Sequence, residues 1–275
     1  YEIPLLLEET PIAELILKSL HLKARNKPDW DAWCALVAEV KRAKPSVRVA
    51  IVGKYVELHD AYISVREALQ HAALANGVEV DIQWIHASDL EKGHNWDLLK
   101  EVDGIVVPGG FGSRGIEGKI KAATYAREND VPYLGLCLGM QVMVIEYARN
   151  VLNKAQANSA EFDRSTPEPF IDLMPEQHQV TEKGGTMRLG LYPCHLKPGT
   201  KAMEAYQTDF VEERHRHRFE LNNEFRPQLE AAGMVCSGVS PDNLLVEITE
   251  IADHPFMLGT QFHPEFLSRP NRPHP

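Results

Sequence analysis

Cysteine, histidine and glycine at particular spacings are the residues of this 275-residue chain that could carry out covalent chemistry. Cys137 stands in Pro132-Tyr133-Leu134-Gly135-Leu136-Cys137-Leu138-Gly139-Met140-Gln141, where a buried strand pattern runs into a helical one. The spacing Gly-x-Cys-x-Gly at such a junction is that of a nucleophile elbow with sulfur in place of the serine oxygen. A sharp turn would lift the thiol above the sheet, and glycines on either side would avoid clashes. The positive end of the following helix favours thiolate over thiol. It would also aim the Leu138 N–H at a developing oxyanion. An isolated cysteine is more often an inert core residue, so the assignment depends on a base.

A thiolate of this kind needs a histidine, commonly oriented by a third group. Of twelve histidines, His263 stands out in Gly259-Thr260-Gln261-Phe262-His263-Pro264-Glu265 because it directly follows an apolar strand pattern. Glu265, across a rigid proline, could hold one ring nitrogen while the other faces Cys137. His-Pro-Glu alone is weak evidence; paired with the elbow more than a hundred residues earlier it becomes strong. A third element is Pro108-Gly109-Gly110-Phe111-Gly112-Ser113-Arg114-Gly115. Gly110, Gly112 and Gly115 satisfy the dinucleotide fingerprint G-x-G-x-x-G literally. That fingerprint belongs in the first strand-helix turn of its unit, and here two such units come first. A better use of the loop is to bring the Gly110 N–H towards the oxyanion. Gly53-Lys54 lacks the upstream glycine of a phosphate loop, and Tyr55 replaces the Ser/Thr.

These residues require a scaffold that places the ends of different strands side by side. From Val47 the pattern alternates: strand 47–52, helix 60–76, strand 78–85, helix 88–100, strand 104–107, helix 116–129 and strand 131–136. Further strand patterns cover 187–196, 244–251 and 257–262. This predicts an α/β fold, an open, mostly parallel sheet flanked by helices. Such sheets bind ligands at the carboxyl ends of their strands, which is where the three motifs fall. The first 45 residues differ. They predict helices over 11–22 and 29–44, the second capped by Asp29 and stopped by Pro45, and they carry no catalytic motif. The expected division is a helical linker over 1–45 and a catalytic domain over 46–275. The tail 268–275, with three prolines, is expected to be extended.

Composition narrows the class. Apolar residues make up 44% and charged residues 25%, ordinary for a globular protein. The net charge of −10 argues against non-specific nucleic-acid binding. No apolar run approaches the roughly 20 residues of a membrane helix. Four dispersed cysteines without a C-x-x-C pair fit neither a disulfide framework nor a zinc site, and a reducing, cytoplasmic setting is expected. The start at Tyr1 without methionine points to a fragment or a processed form.

Together the Pro-Gly-Gly-Phe-Gly loop, the Gly-x-Cys-x-Gly-x-Gln elbow and the late His-Pro-Glu resemble the class I glutamine amidotransferases. Two further blocks, Gly184-Gly185-Thr186-Met187-Arg188-Leu189-Gly190 and Glu213-Arg214-His215-Arg216-His217-Arg218-Phe219-Glu220, look like the glutaminase domains of the CTP synthase family. Tyr1-Glu2-Ile3-Pro4 and the helices after it look like the end of that family's synthase domain and its linker. The resemblance covers nearly the whole chain, although the family continues into a final apolar helix beyond the position of Pro275.

By that resemblance, Cys137, His263 and Glu265 form a catalytic triad, and Gly110 and Leu138 form the oxyanion hole. Gly110, Leu138, Gly139, Met140, Gln141, Glu161 and Arg218 bind L-glutamine. Glu161, in Asn158-Ser159-Ala160-Glu161-Phe162, would take the α-ammonium, and Arg218 the α-carboxylate, which a guanidinium grips in bidentate fashion. The Arg-His-Arg-His-Arg block could instead be a solvated basic face or a metal-binding tract. The implied reaction releases ammonia for the absent synthase domain, which uses ATP and Mg2+ to convert UTP to CTP. GTP is the implied activator, with Arg114 a candidate contact, and a homotetramer the implied assembly of the full-length protein. No metal or cofactor is expected in the glutaminase domain itself. On the same residues, the alternatives are another cysteine hydrolase of this fold, such as a γ-glutamyl peptidase, and a non-catalytic regulatory module.

Overall fold

The computed structural model describes residues 1–174 and 187–275. Helices α1 (Ile3–Glu8), α2 (Ile12–Ser19) and α3 (Asp31–Lys41) precede the first strand. Asp29 lies ahead of α3, and its carboxylate accepts the Asp31 N–H at 3.0 Å. Neither α1 nor α2 buries a residue, and Leu6, Ile12, Leu15 and Ile16 are among the apolar side chains they expose.

From Ser46 the chain alternates as its periodicity predicts. The elements are β1 (Ser46–Gly53), α4 (Ile63–Ala75), β2 (Glu79–His86), α5 (Ala87–Glu91), α6 (Trp96–Lys100), β3 (Gly104–Val107), α7 (Ile116–Glu128), β4 (Tyr133–Leu136) and α8 (Leu138–Asn150). The helix expected over 88–100 is divided in two. Gly93 and Asn95 have φ of +86° and +61°, left-handed values that a right-handed helix cannot contain. Then follow β5 (Ala157–Ser159), β6 (Glu168–Leu173), β7 (Arg188–Leu196), α9 (Lys201–Tyr206), β8 (Phe210–His217), β9 (Phe219–Leu221), α10 (Arg226–Ala231), β10 (Met234–Val239), β11 (Val246–Ile251) and β12 (Met257–Thr260).

The main sheet runs β2-β1-β3-β4-β12-β11-β10-β7-β8, and a small sheet runs β5-β6-β9. Strands β2, β1, β3, β4 and β12 are mutually parallel, the core that the alternating pattern implies. Beyond β12 the sheet continues antiparallel. The decisive feature is the late return of the chain. β12 lies against β4 in parallel register, with Thr260 opposite Leu136. The loops leaving these two strands therefore meet at one end of the sheet, although they are more than a hundred residues apart in sequence.

Helix α8 seals that end from below. Every residue from Leu138 to Ala148 is buried, so the hydrophobic effect fixes its position against the sheet. The two elbow glycines make the approach possible. A Cβ on Gly139 would stand 2.0 Å from the Val107 carbonyl oxygen, and one on Gly135 would stand 2.5 Å from the backbone of Gly139. The Tyr133 hydroxyl donates to the Gly139 carbonyl at 2.8 Å and locks the same crossing.

Candidate active site

Cys137 caps α8 with φ 51° and ψ −100°. A positive φ is uncommon for a residue with a Cβ, and such strain persists only where the surroundings impose it. Here they do: its N–H is held by the Thr260 carbonyl at 2.6 Å, and the helix begins at the next residue. The side chain is buried but lines a cavity.

His263 leaves the end of β12 with its N–H bound to the Arg214 carbonyl of β8 at 2.8 Å. Pro264–Phe266 forms a single 3-10 turn that brings Glu265 back, so that the carboxylate meets His263 Nδ1 at 2.8 Å. The ring also stacks on Phe266, 5.3 Å between centroids. Burial alone would hold the imidazole neutral. Its hydrogen bonds to Cys137 and Glu265, and the negative charges of both, outweigh that and lift its pKa to about 10. The three side chains thus form an imidazolium held between sulfur and carboxylate, an arrangement that can activate a thiol. Gly109 makes room for it: a Cβ there would lie 2.8 Å from the imidazole Cε1.

Gly110 and Leu138 adjoin. A Cβ on Gly110 would be 3.4 Å from Leu138 Cδ2. Beneath this loop lies Lys119, fully buried in α7, whose ammonium donates to the Pro108 carbonyl at 3.3 Å. Burial pulls its pKa down to about 8; Lys54 adds to the fall and Cys137 opposes it. A buried cation with little compensation costs stability. Lys119→Met is therefore expected to be more stable at pH 7, by roughly 1–3 kcal/mol. The unfolded lysine stays protonated up to about 10.5, while the folded one loses its proton near 8. The penalty on the parent protein is full below pH 8 and fades between these values, so the advantage of the variant should shrink there. Denaturant titrations at pH 7 and pH 10 measure this; identical differences at both would contradict it.

The cavity beside the sulfur, about 240 Å³, is lined by Gly110, Phe111, Cys137, Gln141, Ala160, Glu161, Arg164, Met187, His217, Arg218 and Phe219. Gly110, Gln141, Glu161 and Arg218 are thus brought together around one cavity. Glu161 accepts the Gly112 N–H at 2.8 Å, which ties the glycine loop to the pocket wall. Leu138, at the helix start, is not among the lining residues but adjoins Gly110, whereas Gly139 and Met140 face the sheet: Gly139 abuts Val107, and Met140 packs under Gly259. Arg114 lies outside the cavity, exposed, with its guanidinium 5.5 Å from the Tyr55 ring and 3.4 Å from the Lys54 carbonyl oxygen.

The Arg-His-Arg-His-Arg block forms the second half of β8, with Arg218 just beyond its end, and reads with a strand's period of two. His215 and His217 point inward, while Arg214 and Arg216 point to solvent. Burial, reinforced by Arg188, pushes the His217 pKa down to about 3 and that of His215 further, so both are neutral. His217 binds the Phe219 carbonyl through Nδ1 at 3.1 Å. From the Gly-Gly-Thr-Met-Arg-Leu-Gly block, Met187 lines the cavity and Arg188 pairs with Glu247 at 2.7 Å. Gly184, Gly185 and Thr186 lie outside the described residues.

Two residues at the site carry no motif: Arg164, and Gln261, whose Nε2 lies 3.5 Å from Cys137 Sγ; His217 belongs to a motif but has no expected role as a pocket wall. Gln261 had a signal in the sequence. It precedes His263 by two at the end of a strand, and alternation puts both on one face.

The class-I glutamine amidotransferase family model matches residues 57–275. Over its whole length the chain is 59% identical to a CTP synthase of Dehalococcoides mccartyi and 60% identical to one of Roseiflexus sp.. It spans about half the length of these relatives. Among solved structures it is similar to the glutaminase domain of Trypanosoma brucei CTPS with bound acivicin, at 37% identity and a TM-score of 0.78 over 83% of this chain and 89% of that one.

Proposed function

The chain belongs to the class I glutamine amidotransferases, with the glutaminase domains of CTP synthases as its relatives, and from that premise we propose that it hydrolyses L-glutamine at Cys137. The observation that carries this reading is the His263 ring, held by Glu265 at Nδ1 and set against Gly109 beside the Cys137 side chain. The thiolate attacks the side-chain amide carbon, and the carbonyl electrons move onto oxygen. The Leu138 and Gly110 N–H groups stabilise that oxyanion. His263 gives its proton to the departing nitrogen and ammonia leaves. A γ-glutamyl thioester remains. His263 then takes a proton from water, hydroxide adds to the thioester, and glutamate departs as the thiolate is restored. Glu161 receives the substrate ammonium and Arg218 its carboxylate. Gln141 and the peptide groups of 138–140 frame the amide end.

The relatives support a reading of the whole protein's activity as well. The ammonia would pass to a synthase half that aminates UTP to CTP with ATP and Mg2+, under activation by GTP, with Arg114 on the exposed side of the loop as a contact. The apolar side chains exposed on α1 and α2 support packing against that half and within a homotetramer. On this reading residues 1–45 are the linker and 46–275 the glutaminase domain. All four cysteines are free thiols, in keeping with a reducing, cytoplasmic setting. Among the described residues no helix is long and apolar enough to cross a membrane.

Substrate choice tests the pocket. A site that pairs both charges of a free amino acid should hydrolyse glutamine and reject γ-glutamyl peptides with a blocked α-carboxylate by about a hundredfold or more in kcat/KM. Equal rates on the blocked peptide would favour a γ-glutamyl peptidase instead.

A further inference from the structure

Gln261 is wholly buried, carries no charge and has no part in the mechanism above. Its position follows from the sheet. β12 and β4 run in parallel with Thr260 opposite Leu136, so the next residues along, Gln261 and Cys137, leave the two strands side by side. The Gln261 N–H is fixed by the Glu247 carbonyl at 2.7 Å, and the Cys137 N–H by the Thr260 carbonyl. Backbone bonds on both sides thus set the distance between the amide and the sulfur.

The orientation of the amide follows from its neighbours. The Phe219 carbonyl can only accept, so Gln141 must turn its Nε2 towards it, at 2.9 Å. The second proton of that nitrogen is directed at Gln261 Oε1, 3.3 Å away. An acceptor so occupied leaves Gln261 Nε2 facing Cys137 Sγ at 3.5 Å. Flipping Gln261 would set nitrogen against nitrogen at one end and oxygen against sulfur at the other. With both Gln141 protons engaged, only its Oε1 could serve the substrate.

We propose that Gln261 is a further catalytic residue, an amide donor to the Cys137 thiolate that is locked in its donating orientation by Gln141 and the Phe219 carbonyl. A donor to an anion is worth more than one to a neutral group. It stabilises the thiolate before attack and again when sulfur leaves the second tetrahedral intermediate. Between these moments sulfur is bonded to carbon and the amide has less charge to hold. The effect therefore falls on the charged states of the cycle and not on glutamine binding. His263 supplies the proton; Gln261 supplies a fixed dipole from the opposite strand.

This proposal rests on Cys137 being the nucleophile, and its test reads the thiolate directly. The rate of Cys137 alkylation by iodoacetamide is followed against pH, with peptide mapping, in the 275-residue chain and in Gln261→Met, which keeps volume and removes the donor. On the rising acid side of the curve, the variant should react about tenfold more slowly, because the curve moves to higher pH. For glutamine hydrolysis, kcat should fall about tenfold or more while KM stays within about twofold. Gln141→Met, which leaves Gln261 in place but frees its amide to turn, should move the alkylation curve the same way by a smaller amount; it serves if Gln261→Met does not fold. A curve that superimposes on the parent's in either folded variant overturns the proposal. Absence of glutaminase activity in the parent chain would instead count against the function proposed above, and the alkylation curve would still be readable.

Discussion

Replacing Cys137 by alanine is expected to lower glutamine hydrolysis at least about a thousandfold, to the level left by binding and the oxyanion donors alone. On the proposed mechanism the reaction has no other route in this site. There the thiolate forms the only covalent bond to substrate, and the three remaining cysteines stand elsewhere: Cys34 is exposed on α3, and Cys194 and Cys236 are buried in the antiparallel half of the sheet. Burial pushes the Cys236 thiol up to about 12 and that of Cys194 beyond, so neither supplies a thiolate at neutral pH. Folding should survive, because the change removes one sulfur atom and leaves the capped start of α8 unaltered. Steady-state ammonia release, with a melting curve beside it, measures both. A variant with more than a few per cent of parental turnover would contradict the assignment.

Glu265→Gln should have the next largest effect, about a hundredfold or more in kcat. The carboxylate does two things for His263: it accepts from Nδ1, which fixes the ring, and its charge helps hold the ring protonated. A neutral amide keeps the shape, can present its N–H to the ring, and removes the charge. The pH profile should report this. On the proposed mechanism the imidazolium protonates the leaving nitrogen, and it is lost as pH rises through about 10 in the parent protein. Without the carboxylate the proton leaves at lower pH, so the alkaline side of the kcat/KM profile should move down. The observed limits belong to the coupled cysteine-histidine pair and not to either group singly. An unchanged alkaline limb would show that Glu265 does not act on the ring.

Much of this site is legible in the sequence because its parts are short-range signals. The elbow at 135–139 is a local steric requirement, and the structure gives the reason: the two glycines let α8 lie directly on β3 and β4. His263 and Glu265 are two residues apart, so their pairing is also local. The alternation of strands and helices up to Leu136 is visible for the same reason, since each element carries its own period. What is not local is less visible. Nothing near residue 257 says that the last strand returns to lie beside β4, and the Gln261 contact with sulfur depends wholly on that return. The antiparallel half, in which the Arg-His-Arg-His-Arg block ends β8, is obscured because charge dominates its appearance. Its buried histidines show only once the period of two is applied. The break at Gly93 and Asn95 is marked by residue types that tolerate positive φ, although the surrounding apolar spacing reads as one continuous helix.

The central claim is that Cys137, activated by His263, attacks the side-chain amide of glutamine. Incubation of the 275-residue chain with a glutamine analogue that carries an electrophile at the amide position, followed by intact-mass measurement and peptide mapping, tests it most directly. One adduct per chain is expected, on Cys137, formed more slowly when L-glutamine competes and absent in Cys137→Ala. An adduct on Cys34, Cys194 or Cys236 with Cys137 unmodified would contradict it.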